Sequence, residues 1–239
     1  MVSLGGYVKS YFPVFLLGAL FGKLMDDSGS AQAISEFIVR KIGKKREVLA
    51  IVLSCAILTY GGVSLFVVAF AAYPIAAALF RESNLPKRFI PACIALGAFT
   101  FTMTGLPGTP QIQNAIPMQY FGTDAYAAPI LGIVASAIMF GGGLFWINTR
   151  IKKAVEKGEG YGEHKNETLV QSSRENLPSF VTAVLPILIV LVANFVISRF
   201  IIPMSDSAYL ETYGTTIGKV SGNWSLITAL ILAIVITMI

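Results

Sequence analysis

The sequence predicts an all-α polytopic membrane protein built around a re-entrant helical hairpin and a discontinuous transmembrane helix. Three observations carry that reading. Of 239 residues, 55% are hydrophobic and only 13% charged, about half the charged share of a soluble domain. Between Glu47 and Phe80 the chain runs 34 residues with no charge after Glu47, and both flanks of that run are basic. Two glycines and three prolines fall between Thr104 and Pro117, a density that no regular helix holds.

The first apolar segment runs from Tyr11 to Met25. It is short for a span unless it starts near Gly5, with Lys9 at its outer end. Asp26-Asp27-Ser28-Gly29 closes it. Ile34, Phe37, Ile38 and Ile42 then form one stripe opposite Gln32, Glu36 and Arg40. That pattern suits a helix in the headgroup region, with Gly43 as its C-terminal cap. Two readings stand for it: a support for the substrate-carrying elements, or an interfacial linker.

The 34-residue run follows. A single bilayer-crossing helix needs about 20 residues, and basic flanks stay on the cytoplasmic side. The run is too long for one crossing, and its two basic ends belong on one face. It is therefore expected to enter from the cytoplasm, turn at Tyr60-Gly61-Gly62 and return. Pro74 in its second arm needs neighbours to take up the freed carbonyl. Backbone broken at membrane depth survives only when buried in protein or lining a watery cavity. Transporters are built that way.

From Phe89 to Thr104 the chain enters the membrane again. It breaks at Thr104-Gly105-Leu106-Pro107-Gly108-Thr109-Pro110, resumes at Gln111, and is expected to reach the outside near Gly122-Thr123-Asp124. Ala127 to Asn148 crosses back, with Gly141-Gly142-Gly143 allowing close helix contact and Trp146 near the interface. Arg150 to Asn176 reads as a cytoplasmic linker and Leu177 to Ile202 as an outward crossing. The stretch from Pro203 to Gly222 reads as external. Asn223 to Ile239 starts another inward crossing that looks cut rather than finished.

Charge placement supports this topology. Counting Lys and Arg gives 6 from Lys23 to Arg46, 3 from Arg81 to Arg88 and 6 from Arg150 to Arg174, so 15 of 18 lie in segments expected in the cytoplasm. The net +5 is therefore a topology signal, and no nucleic-acid partner is expected. Cys55 and Cys93 sit inside apolar runs, where a thiol acts as a small hydrophobe. His164, the only histidine, has no second ligand nearby, so no metal is expected. Every one of the 13 acidic residues falls in a loop or at a membrane boundary, which leaves no carboxylate at depth for a proton relay.

Two polar clusters remain at membrane depth. One is Thr59, Tyr60, Gly61, Gly62 and Ser64 at the hairpin tip. The other is Thr104, Gly105, Gly108, Thr109, Gln111, Gln113 and Asn114 around the break, preceded by Thr100 and Thr102. Half-helix N-termini attract carboxylates, while hydroxyls and carboxamides add neutral hydrogen bonds. An anion can then bind without a buried Arg or Lys. Each candidate has a bland counterpart. Thr100 and Thr102 suit bonds to a carbonyl in the preceding turn, and Gly61-Gly62 suits a plain turn. Asn114 is different, because an amide in the membrane needs a partner.

The residues Phe15-Leu16-Leu17-Gly18-Ala19-Leu20-Phe21-Gly22-Lys23-Leu24-Met25, with Asp27-Ser28-Gly29 and Ala31, resemble the gluconate permease (GntP) family of the ion transporter superfamily. The stretches from Leu58 to Phe66 and from Thr102 to Asn114 resemble its citrate-type symporter-like subgroup. The resemblance implies a symporter of a small organic carboxylate coupled to H⁺ or Na⁺, with no other cofactor. It implies two inverted repeats, each giving a hairpin and a broken helix to one central site. Residues 1–150 would be the first repeat, 151–176 the linker and 177–239 the truncated start of the second. A multi-pass protein of the inner membrane, not an enzyme, is implied, with a homodimer by analogy to elevator-type carriers. Sugar-acid members carry Pro-Leu-Phe-Phe-Glu near the hairpin and a His-containing sequence at the break. Here the corresponding positions read Gly-Val-Ser-Leu-Phe and Gly-Leu-Pro-Gly-Thr-Pro, so these motifs leave the choice between gluconate and another small carboxylate open. A Na⁺/H⁺ antiporter of the same superfamily and a non-transporting membrane subunit are the alternatives.

Overall fold

The structure is a computed structural model that describes residues 2–42, 46–63, 65–163, 177–205 and 208–238. Ser64, Gly43 and His164 lie outside the described residues. Helices account for the architecture: α1 Val2–Asp27, α2 Ser30–Ile42, α3 Glu47–Tyr60, α4 Leu65–Glu82, α5 Ile90–Ala98, α6 Phe101–Thr104, α7 Ile112–Phe121, α8 Pro129–Glu156, α9 Phe180–Val196, α10 Ile202–Met204 and α11 Ile217–Met238. A π-helical turn, Ile197–Ile201, joins α9 to α10. Among the described residues, Pro129–Glu156, Phe180–Met204 and Ile217–Met238 are long and apolar enough to cross a membrane.

The 34-residue run is a helical hairpin. Helix α3 ends in a reciprocal cap, with the Val63 N–H donating to the Leu58 carbonyl at 3.1 Å and the Gly62 N–H to Thr59 at 3.0 Å. That motif places its C′ residue in the left-handed region, and Gly62 holds φ +91°. At the base, Ser83 Oγ donates a 2.6 Å bond to Glu47 Oε1, so the two basic flanks share one end of the bundle. At 14 residues, α3 is roughly 21 Å long, short of a hydrocarbon core of about 30 Å.

Several elements differ from their expected bounds. Helix α1 covers 26 residues, the longer of the two extents considered, starting at Val2 and carrying Pro13 within it. The stripe on α2 faces protein: Ile34 and Ile38 join the core, with Phe37 and Ile42 packed against it, while Gln32 and Glu36 bond each other on the exposed side. Helix α8 continues to Glu156, into the stretch read as linker, because Arg150 to Glu156 are mostly good helix formers. The triple glycine contributes a single close contact. A Cβ on Gly143 would lie 2.3 Å from Leu96, whereas Gly141 and Gly142 face open space. Helix α11 starts at Ile217, inside the stretch read as external.

The core lies where α3 packs on α5 and α2, and α9 on α11. Cys55 and Cys93 are fully buried there. Gly97 lets α5 approach α3 closely, since a Cβ on it would lie 2.4 Å from the Val52 carbonyl.

Candidate functional site

The hairpin tip and the helix break, 47 residues apart in the Tyr60–Pro107 pair, meet in the fold. Tyr60 Oη donates a 2.6 Å bond to the Pro107 carbonyl. Gln111 Nε2 donates a 2.7 Å bond to the Thr59 carbonyl. Gly62 lies so close to Pro110 that an added Cβ would sit 2.9 Å from its ring. The Thr59 carbonyl, at the end of α3, thereby gains a second donor beside the Gly62 N–H, and the Pro107 carbonyl gains one that Pro110, lacking an N–H, does not supply. Two helix N-termini start beside this junction, α4 at Leu65 and α7 at Ile112.

The break is held open from within. The interruption begins earlier than expected, at Thr100, whose ψ of −112° separates α5 from α6. Thr100 and Thr102 bond the Leu96 and Gly97 carbonyls, each at 2.8 Å, the local role open to membrane threonines. Thr109, also buried, donates to the Thr102 carbonyl at 2.7 Å and so braces the loop. Gly108 holds φ +82° under the ring of Tyr126 and donates a 2.6 Å bond to the Ala125 carbonyl. Gly105 touches α8, where a Cβ on Gly132 would lie 2.3 Å from the Gly105 carbonyl.

A cavity of about 320 Å³ opens beside this loop, lined by Thr104, Gly105, Leu106, Pro107 and Asn114 with the Ala125 to Ala128 turn and α8. Among the described residues, no charged side chain lines it. Thr104 Oγ1 is bonded to the Thr100 carbonyl, whereas the Asn114 amide has no hydrogen-bond partner among the described residues. Asn114 stands in the first turn of α7, whose start at Gln111 carries no side-chain cap. Gln113 points to the exposed side of that turn. Thr59 is fully buried, and its hydroxyl has no partner among the described residues.

Two further polar side chains escaped the sequence reading. Ser136, on α8 against Gly105, is buried, and its hydroxyl has no partner among the described residues. Asn194, on α9, is 1% exposed, and neither amide atom has a partner among the described residues. Ile187, Leu191 and Asn194 lie at i, i+4 and i+7, one helix face. Ile187 packs on Gly61, and the Leu191 carbonyl accepts a 3.1 Å bond from Tyr126 Oη. That face of α9 therefore turns toward the hairpin tip and the break. The signal was available, since Asn194 is the one carboxamide within the apolar run from Val181 to Ile202.

Long apolar helices, a helical hairpin and an interrupted helix define an α-helical, multi-pass membrane protein. The chain belongs to the GntP permease family, a family of transporters rather than enzymes that reside in the inner membrane, and residues 2–239 match that family. It is 58% identical over 162 residues to an uncharacterised transporter, YxjC, of Bacillus subtilis (strain 168), covering 68% of this chain and 34% of the relative. It is 29% identical over 208 residues to a gluconate permease of the same organism, covering 81% of this chain and 44% of that one. With a high-affinity gluconate transporter of Escherichia coli (strain K12) the identity is 26% over 208 residues, covering 84% and 44%. The chain thus spans less than half the length of each of these relatives. No solved structure matches it.

Proposed function

We propose that this chain contributes one half of the substrate site of a symporter for a small organic carboxylate, driven by H⁺ or Na⁺. One observation supports it above the rest. The first turn of α7, which starts just past the Gly62–Pro110 contact, borders a cavity with no charged side chain among its described lining, and Asn114 brings to it an amide with no partner among the described residues. Helix N-termini carry partial positive charge and free N–H groups suited to a carboxylate. A cavity of about 320 Å³ is at the small end of ligand sites, which suits a compact anion. Gluconate-transporting relatives support the same class.

On this reading the hairpin is re-entrant, Thr59 to Gly62 brace it, and Asn114 with the first turn of α7 holds the carboxylate. Thr109 and Gly108 keep the break open, and Asn194 faces the same junction from α9. The described acidic residues are all exposed or half-buried, so a carrier for a coupling proton would be Asp26 or Asp27, a group elsewhere in the protein, or the substrate itself.

The test is uptake by the full-length protein in proteoliposomes. A panel of small carboxylates is offered under an imposed H⁺ or Na⁺ gradient. Gradient-dependent accumulation of at least one carboxylate is expected; ion exchange without carboxylate flux would instead identify an antiporter. Labelling of Thr104→Cys and Asn114→Cys by a water-soluble maleimide separates a carrier from a packing subunit, whose dry interior leaves both thiols unreacted.

A further inference from the structure

A second cavity lies at the hairpin-base end of the bundle, away from the candidate site. It measures about 400 Å³ and is lined by Arg88, Phe89, Ala92, Trp146, Ile147, Arg150, Lys153, Ala154 and Lys157. Arg88 is committed to Glu159, with its Nε 2.6 Å from Oε1. Arg150, Lys153 and Lys157 have no ion-pair partner among the described residues.

Basic residues near a membrane surface are ordinarily explained by topology alone. Here the arrangement goes further. Trp146, Arg150, Lys153 and Lys157 lie at i, i+4, i+7 and i+11, one face of α8. Like charges at such spacing repel one another, and this face gathers three of them around a single concave space. The negative C-terminal end of α8 eases that repulsion only within its last turn, and Arg150 lies beyond it. The Arg150 guanidinium sits 4.7 Å above the Trp146 ring, an exposed indole of the sort found at headgroup level. Phe89, Ala92 and Ile147 supply an apolar wall beside the charges.

We infer that this cavity binds the phosphate of an anionic phospholipid, with Arg150, Lys153 and Lys157 on the phosphate and the glycerol and acyl start against Phe89, Ala92 and Ile147. Basic pockets between membrane helices hold such headgroups. A free phosphate would satisfy the charges but leave the apolar wall unused, which favours the lipid.

The test is a thermal-melt titration of the full-length protein in neutral detergent. Phosphatidylglycerol is expected to raise Tm, while phosphatidylcholine and inorganic phosphate at equal concentration leave it unchanged. The R150Q/K153Q/K157Q variant should bind phosphatidylglycerol about tenfold or more weakly. The R40Q/K41Q variant, which removes two exposed charges at the end of α2, should keep wild-type affinity. Should the triple variant fail to fold, K153Q alone is expected to lose affinity several-fold. Equal shifts from both lipids, a phosphate shift matching the lipid's, or an undiminished shift in the cavity variants overturns the assignment. So does an equal loss in R40Q/K41Q, or no response to phosphatidylglycerol at all.

Discussion

Tyr60 at the hairpin tip and Pro107 in the helix break are joined by a 2.6 Å hydrogen bond from phenol to carbonyl. Gln111 makes the reciprocal tie, from the break to the Thr59 carbonyl. Each element thereby donates to a main-chain carbonyl of the other, the Thr59 carbonyl also accepting from the Gly62 N–H within the hairpin cap.

Tyr60→Phe should therefore loosen the junction without changing its packing. A loss of about 1 kcal/mol is expected, read as a lower melting temperature in detergent, with a fall in uptake. Unchanged melting would mean that water replaces the phenol and that the bond contributes little.

Asn114 and Thr109 are separable. Asn114→Ala removes an amide that has no internal partner, so membrane abundance should hold while carboxylate uptake is abolished. Thr109→Val deletes the donor to the buried Thr102 carbonyl, and leaving that acceptor unpaired costs about 1–3 kcal/mol. Its abundance should fall along with its uptake. Quantitative blotting beside the uptake assay distinguishes the two, and normal transport by Asn114→Ala removes that residue from the site.

Much of this arrangement was legible in the sequence, for physical reasons. A basic flank at each end of an uncharged run leaves few alternatives to doubling back, and Gly61-Gly62 fixed the turn to within a residue. Proline and glycine density likewise located the break. What stayed hidden depends on packing. Nothing local says that Thr109 bonds inward while Asn114 borders a cavity, because both are polar residues beside the same break. The α2 stripe shows a period but not whether lipid or protein covers it. Gly143 and Gly142 are neighbours in sequence, yet only Gly143 meets another helix.

The glycines of α8 provide a paired test. At Gly132 a methyl would lie 2.3 Å from the Gly105 carbonyl, so Gly132→Ala must push α8 off the break at a cost of about 1–3 kcal/mol. Gly142→Ala meets nothing within 4 Å and should stabilise the helix by about 0.5–1 kcal/mol. Melting temperatures should move in opposite directions. A loss at both positions would place another part of the protein against the Gly142 face.

Asn194 offers the sharpest separation of stability from function. A buried amide whose two polar atoms lack partners among the described residues costs about 1–3 kcal/mol for each group left unsatisfied. Leucine has similar size and needs no hydrogen bond. Asn194→Leu should therefore raise the melting temperature of the substrate-free protein. If the amide turns toward the junction of hairpin and break because a ligand or a water completes it during transport, the same substitution should lower uptake. Stabilisation with lost uptake fits a residue kept for binding. Destabilisation would show that the amide already has a partner in the resting protein, and stabilisation with normal uptake would remove Asn194 from the site while leaving Asn114 in place.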